Sequence, residues 1–206
     1  MPGSKAPEEE RRRQILAAAY RVASDQGLAE TTILQVAAAA GVSPGLIMFH
    51  FKSRRQLLLA LLEDLLATTT VLKADTALAP SSTPEARLLA VLRQEIQRLT
   101  SEPARIRLTF DYWMAGVRDV ATRKRLKSEF ARYREAFRPL AESVLLAHPD
   151  RFPGVTPDGL AGLSVSLIKG CAVQSMIDPD HFDVDEYLTA ADGLLAGART
   201  GQNAAA

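Results

Sequence analysis

Apolar residues recur at spacings of three and four along most of this chain, which is the period of one face of an α-helix. Four leucines in the first third show this spacing: Leu58, Leu61, Leu62 and Leu65. The strict alternation of apolar and polar positions that is typical of a half-buried strand forms no convincing run. The pattern therefore predicts an all-α fold of about nine helices, without an internal repeat.

Turn residues and polar stretches divide this pattern into segments. The first predicted helix begins near Glu8 and ends at Gly27. Farther along, Lys73–Thr83 is predicted to be a polar linker, and His148–Thr156 a loop rich in proline and glycine. The helix predicted at Asp158–Ile177 differs from the others because it is apolar or small nearly all round. A helix of that kind is usually buried on two sides.

The stretch Thr31–Phe51 contains two short predicted helices separated by a tight turn. Thr32 and Gln35 have the spacing of a capping box at the start of the first helix. Gly41 stands where a helix ends on a left-handed residue, and the Ser43-Pro44 pair supplies an N-cap and a first residue for the next helix. This arrangement is typical of the helix-turn-helix unit, whose second helix enters the major groove of DNA.

Three other interpretations of the same stretch compete with this one. It contains no Asp, Glu, Lys or Arg, but Thr, Gln, Ser, Pro and His interrupt it, which disfavours a membrane span. Gly41–Gly45 also fits G-x-S-x-G, the nucleophile elbow of α/β-hydrolases, although that motif needs a β-strand where an alanine-rich helix is predicted. The third alternative is an ordinary buried helical hairpin.

Charge is distributed unevenly along the chain. The formal net charge is only +1, but residues 11–62 contain seven Lys or Arg against two acidic residues, which gives that segment a charge of +5. The remainder is mildly acidic. This asymmetry is expected of a DNA-binding protein with a separate regulatory body.

Composition places the chain in a reducing compartment. The 206 residues include one cysteine, Cys171, so no internal disulfide can form. The N-terminal segment has no apolar region of the kind found in signal peptides, and we therefore expect a cytoplasmic protein.

Residues Arg11–Asp64 resemble the DNA-binding domain of TetR-family transcriptional regulators. The parts that carry the resemblance are the Gly27 turn, Thr31-Thr32, Gly41-Val42-Ser43-x-Gly45, and His50-Phe51-Lys52-Ser53 followed by Leu57. Farther along, Leu167–Leu188 is similar to the ligand-binding half of the BetI-like branch. The resemblance implies a homodimeric, ligand-responsive repressor that binds a palindromic operator in double-stranded DNA, and not an enzyme.

The domain organisation expected on this basis has four parts. These are a flexible arm at 1–7, a helix-turn-helix DNA-binding domain at 8–53, a helical ligand-binding and dimerisation domain at 54–199, and a flexible tail at 200–206.

The resemblance also assigns DNA contacts residue by residue. Phosphate contacts fall on Thr31, Thr32, His50, Lys52 and Arg54. Base-edge and groove contacts fall on Ser43, Pro44, Gly45, Leu46, Met48 and Phe49.

Two of these positions depart from the family pattern. The family commonly has Thr or Asn at Leu46 and Tyr at Met48, so two hydrogen-bonding groups are missing. No Lys or Arg lies between Thr31 and Phe51, and the bidentate arginine–guanine contact cannot come from this helix. Apolar contact with thymine methyl groups is expected instead. A helical small-molecule-binding module that has lost DNA binding is therefore the alternative function.

A ligand cavity is expected between helices, because helical bundles often bind small molecules there. The candidate lining residues are Phe110, Tyr112, Trp113, Met114, Phe130, Tyr133, Phe137, Cys171, Gln174 and Met176. Core packing is the default interpretation for most of these aromatic residues, and the resemblance favours a cavity for some of them. Few ionisable groups are expected on these faces, which predicts a small, mostly apolar effector. Lys169 is exceptional, since BetI-like sequences often have an acidic residue there.

The two C-terminal helices are predicted to form a symmetric four-helix dimer interface. Its candidate residues are Leu160, Leu163, Leu167, Leu188, Ala191 and Leu195. A single chain is expected to leave the leucines exposed to water.

No metal site or cofactor is predicted. Asp178, Asp180, Asp183 and Asp185 invite a comparison with an EF-hand loop, but the glycine and the glutamate that such a loop requires are missing. These carboxylates are interpreted as helix caps in an acidic turn.

Overall fold

The computed structural model describes residues 7–67 and 82–197. The helices in these ranges are α1 (Glu8–Gln26), α2 (Ile33–Ala40), α3 (Pro44–Phe51), α4 (Arg54–Ala67), α5 (Pro84–Thr100), α6 (Pro103–Arg118), α7 (Val120–Ala147), the 3-10 helix Pro149–Arg151, α8 (Pro157–Ile177) and α9 (Val184–Gly197). No strand occurs within the two ranges, and the predicted all-α fold is confirmed. The predicted tail, all but one residue of the predicted arm, and residues 73–81 of the predicted linker lie outside them.

The chain divides into two compact units. Unit 1 comprises Met1–Thr70 and Ala104–Ser128, and unit 2 comprises Val71–Pro103 and Glu129–Ala206. This division differs from the domain boundary expected after residue 53, because α4, α6 and the start of α7 belong to the same unit as the helix-turn-helix segment.

Unit 1 has a single hydrophobic core, which explains this grouping. Its buried residues come from all of its helices and include Ile15, Val36, Ile47, Phe51, Leu57, Leu61, Leu62, Leu65, Leu108, Tyr112 and Leu126. A boundary after residue 53 cuts through this core. The leucine series of α4 therefore completes the unit that contains α2 and α3.

Unit 2 has its own core, built by α5, residues 129–147 of α7, α8 and α9. Helix α8 is long and apolar enough to cross a bilayer, as core helices of globular proteins also can be. Its buried side chains include Leu160, Val165, Ile168 and Cys171, which pack in this core. The opposite face, with Leu163 and Ser166, is exposed. Helix α8 was expected to be buried on two sides. Within the single chain it is buried on one side only.

The turn between α1 and α2 is held by one side chain from α4. The Arg54 guanidinium donates hydrogen bonds to the backbone carbonyls of Leu28, Ala29 and Thr31. Gly27 has a φ of 85°, which favours glycine, and its carbonyl accepts a hydrogen bond from the Thr31 hydroxyl at 2.8 Å. Hydrogen bonds therefore fix the start of α2 relative to α4, in addition to apolar packing.

Replacing Arg54 by Ala should lower the free energy of unfolding by roughly 1–3 kcal/mol, because three carbonyls lose a charged donor. Urea unfolding followed by the fluorescence of Trp113, the single tryptophan, reports on this core. Arg55→Ala is the matched control, since that side chain is exposed and makes a surface ion pair with Asp119. Equal losses in the two variants would contradict the role given to Arg54.

Candidate functional site

Helices α2 and α3 have the geometry of a helix-turn-helix unit. They are inclined at 109° to each other, within the range typical of that motif. Thr32 and Gln35 form the predicted capping box, with the Gln35 backbone N–H donating to Thr32 Oγ1 at 3.2 Å. Gly41 has the left-handed conformation that ends α2, at φ 64°. The predicted helix ends and turn are confirmed.

The same geometry excludes the nucleophile elbow. The serine of a G-x-S-x-G elbow follows a β-strand, whereas Ser43 follows helix α2 and its turn. Ser43 Oγ is the N-cap of α3 and accepts a hydrogen bond from the Leu46 backbone N–H at 3.3 Å. The serine therefore has a capping role, and the hydrolase interpretation is wrong.

Helix α3 presents two different faces. Ile47 and Phe51 are buried in the core of unit 1 and hold the helix in place. The exposed positions are Ser43, Pro44, Gly45, Met48 and Phe49, and Leu46 is half-buried. Phe49 is 65% exposed, an unusual situation for a phenylalanine on a packed helix. All six residues predicted to contact DNA bases are therefore accessible, at least in part.

Basic groups surround the C-terminal end of α3. Lys52 is exposed, has a φ of 62°, and donates from Nζ to the Phe49 carbonyl at 2.8 Å. The carbonyl of half-buried His50 accepts a hydrogen bond from Arg12 at 3.0 Å, and the Arg12 guanidinium lies 4.5 Å from the centre of the Phe51 ring. Cationic side chains at a helix C-terminus are electrostatically favourable, and here they also surround an exposed helix face.

Two residues predicted to contact phosphate make hydrogen bonds within unit 1. Thr31 is completely buried, and its hydroxyl donates to Gly27. Arg54 directs its guanidinium at three backbone carbonyls of the α1–α2 turn. The Thr31 hydroxyl and the Arg54 Nε and Nη2 donors are therefore bonded inside unit 1, and phosphate contact by these two residues stays a prediction. Thr32 and Lys52, by contrast, are exposed.

The candidate ligand residues are divided between the two units. Unit 1 contains Phe110, Tyr112, Trp113 and Met114. Tyr112 is buried and donates to the Leu58 carbonyl at 2.7 Å, Trp113 packs edge-on against Phe110, and Met114 is exposed. This part of the predicted lining contains a core tyrosine and an accessible methionine.

The remaining candidates belong to unit 2. Tyr133, Phe137 and Cys171 are fully buried, Phe130 and Met176 are half-buried, and Gln174 is exposed. Burial raises the pKa of the Cys171 thiol to about 11, which keeps it protonated and unreactive at neutral pH. Tyr133, in contrast, stands in a polar environment.

A charged cluster surrounds Tyr133 inside unit 2. Its hydroxyl donates to Glu95 Oε1 at 2.6 Å, and Glu95 is only 1% exposed. Arg98 donates to both Glu95 oxygens, with Nε 2.9 Å from Oε2, and also to the Tyr133 hydroxyl at 3.1 Å. Glu95 is thus a buried carboxylate with three hydrogen bonds.

The second half of this cluster is less completely paired. Lys169 Nζ lies 3.6 Å from Glu129 Oε1 and 4.2 Å from the centre of the Tyr133 ring. Burial lowers the pKa of Lys169, and the Glu129 carboxylate opposes that shift. Within the residues that the structure describes, the buried Glu129 Oε2 has no hydrogen-bond partner. A buried acceptor without a partner is costly, and this atom can receive a donor from a ligand.

The cluster corrects the expectation that few ionisable groups lie on these faces. Glu95, Arg98 and Glu129 were missed as candidates, although a signal was present in the sequence. Glu95 falls on the inward face of α5 beside Leu92 and Ile96, and Glu129 falls between Leu126 and Tyr133 at helical spacing. A charged residue at a position where the helical period predicts a core residue was therefore the signal for this buried cluster.

The predicted dimer residues are also placed differently from expectation. Leu160, Leu188, Ala191 and Leu195 are buried within unit 2 of the single chain, and Leu167 is half-buried. Of the six, only Leu163 is exposed, at 54%. The expectation that a monomer leaves Leu160, Leu188 and Leu195 in water is therefore wrong, because they pack on their own core.

The acidic turn near the C-terminus has the capping role that its sequence predicts. Asp183 Oδ1 accepts hydrogen bonds from the backbone N–H groups of Asp185 and Glu186, at 2.7 and 3.0 Å. Across 7–67 and 82–197, no group of three or more His, Cys, Asp or Glu side chains has the arrangement of a metal site.

Comparison with known proteins agrees with this architecture. Residues 15–61 match the family described as bacterial regulatory proteins of the tetR family, and residues 84–199 match the C-terminal domain of BetI-type transcriptional repressors. The HTH-type transcriptional regulator BetI of Cronobacter sakazakii is 29% identical over 191 residues, which cover 87% of this chain and 86% of that protein.

Two solved structures share the fold. One is a transcriptional regulator from Saccharomonospora viridis in complex with choline, with a TM-score of 0.71, 19% identity, and coverage of 92% of this chain and 97% of that one. The other is FadR from Bacillus subtilis in complex with stearoyl-CoA, with a TM-score of 0.70, 15% identity, and coverage of 90% and 98%. The C-terminal family match alone spans more than half of the chain. The chain belongs to the TetR family of bacterial transcriptional regulators, and its C-terminal part is of the BetI type.

Proposed function

We propose that this regulator is a cytoplasmic, ligand-responsive repressor that binds a palindromic operator as a dimer. The observation that carries the proposal is the exposed outer face of α3 in a complete helix-turn-helix unit. TetR-family regulators bind DNA and small molecules and act as dimers. An effector that binds one conformation better shifts the protein towards it, and two recognition helices fit adjacent major grooves only about 34–36 Å apart.

The proposed DNA contacts follow from exposure. The proposed phosphate contacts are made by Thr32, His50 and Lys52. The proposed groove contacts are made by the outer face of α3, which consists of Ser43, Pro44, Gly45, Leu46, Met48 and Phe49. Because this face carries no arginine or lysine, sequence preference arises from thymine methyl contacts and from DNA shape.

Replacing Lys52 by Ala should weaken binding to specific and non-specific duplexes alike, because one phosphate contact is lost. The slope of log affinity against log salt should flatten by about one unit. Fluorescence anisotropy with labelled duplexes at several salt concentrations measures both effects. Leu46→Ala should instead change the preferred sequence, and Lys124→Ala, at an exposed position of α7, is the control. The assignment fails if Lys52→Ala leaves the affinity and the slope unchanged.

The effector is proposed to bind beside Glu129 in unit 2. Two carboxylates, Glu95 and Glu129, face two cations, Arg98 and Lys169, so the cluster has no net charge when all four groups are ionised. A mostly apolar effector with one hydroxyl or N–H donor satisfies Glu129 Oε2 without bringing a further charge into the core.

A choline-like cation fits this core less well than a neutral ligand. The ammonium of Lys169 already lies on the Tyr133 ring and beside Glu129, the two groups that a quaternary ammonium needs. The choline bound by the Saccharomonospora viridis protein is therefore not the ligand that we propose for this chain.

Replacing Lys169 by Met should create a response to choline that the natural chain lacks. Removal of the ammonium frees the Tyr133 ring and leaves the Glu129 carboxylate without a cation. Choline should therefore bind to Lys169→Met at least about tenfold more tightly than to the natural chain. The melting temperature with and without millimolar choline measures this, because a ligand of the native state raises it. Lys124→Met is the control. Strong stabilisation of the natural protein by choline would contradict the proposed neutral effector.

The dimer interface is proposed to lie on the outer face of α8 and on α9. Leu163, Ile177 and Leu194 are exposed, at 54%, 72% and 77%. A Cβ atom added at Gly162 or Gly170 would meet nothing within 4 Å, so the helix surface is also open at these glycines. Exposed leucines beside small residues allow α8 to pack closely against the same helix of a second copy.

Replacing Leu163 by Glu should convert the dimer to a monomer at micromolar concentration. Each dimer loses two buried leucines, at about 1.5–3 kcal/mol each, and gains two charges of the same sign in the interface. Light scattering coupled to size-exclusion chromatography measures the mass. Leu146→Glu is the control, because Leu146 is also an exposed leucine, at 75%, and lies on α7. A Leu163→Glu protein that remains dimeric would place the interface elsewhere.

A further inference from the structure

Unit 1 contains a cavity of about 580 Å³, and none of the DNA contacts proposed above lines it. Its walls are the α1–α2 turn, the first turns of α4, the second half of α6 and the start of α7. The volume lies within the range of about 300–1,000 Å³ that is typical of small-molecule sites. All of its lining residues belong to unit 1, so it is separate from the effector site proposed beside Glu129.

Most of the lining is apolar. Leu58, Leu59 and Ala115 contribute aliphatic surface, and Tyr112 contributes its ring, because its hydroxyl is already bonded to the Leu58 carbonyl. Met114 lines the cavity and is 70% exposed. A bound apolar molecule would remove part of this methionine from water, which is favourable.

Two of the four charged groups in the lining satisfy each other. Arg55 and Asp119 form an ion pair at 2.7 Å. Asp119 Oδ1 also accepts hydrogen bonds from the backbone N–H and the hydroxyl of Thr122, both at 2.8 Å. These bonds, together with Arg55, lower the pKa of Asp119 to about 2. Neither charge needs a ligand.

Asp111 differs from Asp119, because its carboxylate is poorly paired. Oδ2 accepts one hydrogen bond, from the Leu28 backbone N–H, at 3.4 Å. That distance is longer than usual for N–H···O, and within the described part of the chain Asp111 has no other hydrogen bond or ion pair. A carboxylate has room for about four donors, so Asp111 presents unused acceptor capacity at the cavity.

We propose that this cavity is a second small-molecule site, which takes an uncharged amphiphilic organic molecule. A hydroxyl or amide N–H of the ligand donates to Asp111, and its apolar body packs against Leu58, Tyr112 and Met114. The two arginines and two aspartates of the lining sum to zero charge, which favours neither a cation nor an anion. A charge-assisted hydrogen bond from a neutral donor supplies the specificity.

Occupation of this site regulates DNA binding directly, because one wall of the cavity is the turn that positions α2. Gly27, Leu28 and Ala29 line the cavity together with Arg54, whose guanidinium binds the carbonyls of that turn. A ligand that donates to Asp111 also lies against Leu28 and Ala29 of that turn, because these residues line the same cavity. The ligand thereby favours a different position of the turn and lowers the affinity for DNA. The inference rests on DNA binding by α3 and not on the effector site in unit 2.

The test uses biphenylmethanol as a neutral probe and biphenylcarboxylate as its anionic counterpart. Trp113, which is the single tryptophan and packs against the core of unit 1, follows Tyr112 in the chain, so its emission reports on probe binding. The emission should change and reach a plateau as biphenylmethanol is added. Biphenylcarboxylate should bind at least about tenfold more weakly, because it has no hydroxyl to donate to Asp111. Equal or tighter binding of the carboxylate would overturn the proposed ligand class.

Two variants on α6 locate the site. Ala115→Phe fills the cavity from an exposed helical position and should abolish the response to biphenylmethanol. Val117→Phe, at an exposed position of the same helix that does not line the cavity, should leave it unchanged. Asp111→Asn keeps an acceptor for the Leu28 N–H and should weaken probe binding about tenfold. Equal responses in the natural protein and Ala115→Phe would overturn the site.

The regulatory step is measured by DNA affinity at saturating biphenylmethanol. Affinity should fall several-fold in the natural protein and in Lys169→Met, but not in Ala115→Phe. Because Lys169→Met alters only the unit 2 site, its unchanged response separates this proposal from the effector proposal. If DNA affinity does not change while Trp113 reports full occupation, direct regulation is overturned. If no DNA binding is seen without the probe, the proposed function itself has failed.

Discussion

The contact between the Arg54 guanidinium and the α1–α2 turn is the interaction on which the DNA-binding unit depends. Helix α2 has eight residues and α3 has eight, which is too short for either to be stable alone. Their mutual angle is set by the core below them and by the turn before them. A charged side chain that bonds three carbonyls of this turn ties it to α4. The same residue also lines the cavity of unit 1, so the support of the recognition helix is accessible to a ligand.

A different constraint acts inside unit 2, where three ionisable side chains (Glu95, Glu129 and Lys169) are buried and a fourth, Arg98, is half-buried. Glu95 accepts hydrogen bonds from Arg98 and Tyr133. Among the described residues, Glu129 Oε2 has no hydrogen-bond partner, and Lys169 Nζ lies 3.6 Å from Oε1. Burying the Glu129–Lys169 ion pair costs the hydration of both charges, and their attraction offsets that cost incompletely. Such a pair stabilises the fold little. Such a pair can instead select ligands, because an incoming donor gains the full strength of a hydrogen bond to a buried carboxylate.

Much of the fold was predictable because helix ends depend on local chemistry. The Thr32 capping box, the left-handed Gly41 and the Ser43 cap involve residues at most four positions apart, and the structure has all three. The directions of side chains across helices were harder to predict. Thr31 and Arg54 occupy positions where the family has phosphate contacts, but local sequence does not show that both bond to the α1–α2 turn. Similarly, α8 has apolar residues on both faces, and periodicity alone cannot tell which face its own core covers.

The outer face of α3 combines these constraints. A core-facing helix normally exposes polar residues, yet Met48 and Phe49 are exposed here, and the nearest basic groups lie at the end of the helix. Placing a large apolar side chain in water gains nothing for the isolated fold. Covering these side chains with another surface is favourable, because it removes them from water. Cations at the rim attract any duplex, whereas an apolar centre distinguishes sequences by their thymine methyl groups and groove width. The proposed DNA contacts thus divide affinity and specificity between different residues of one short helix and its end.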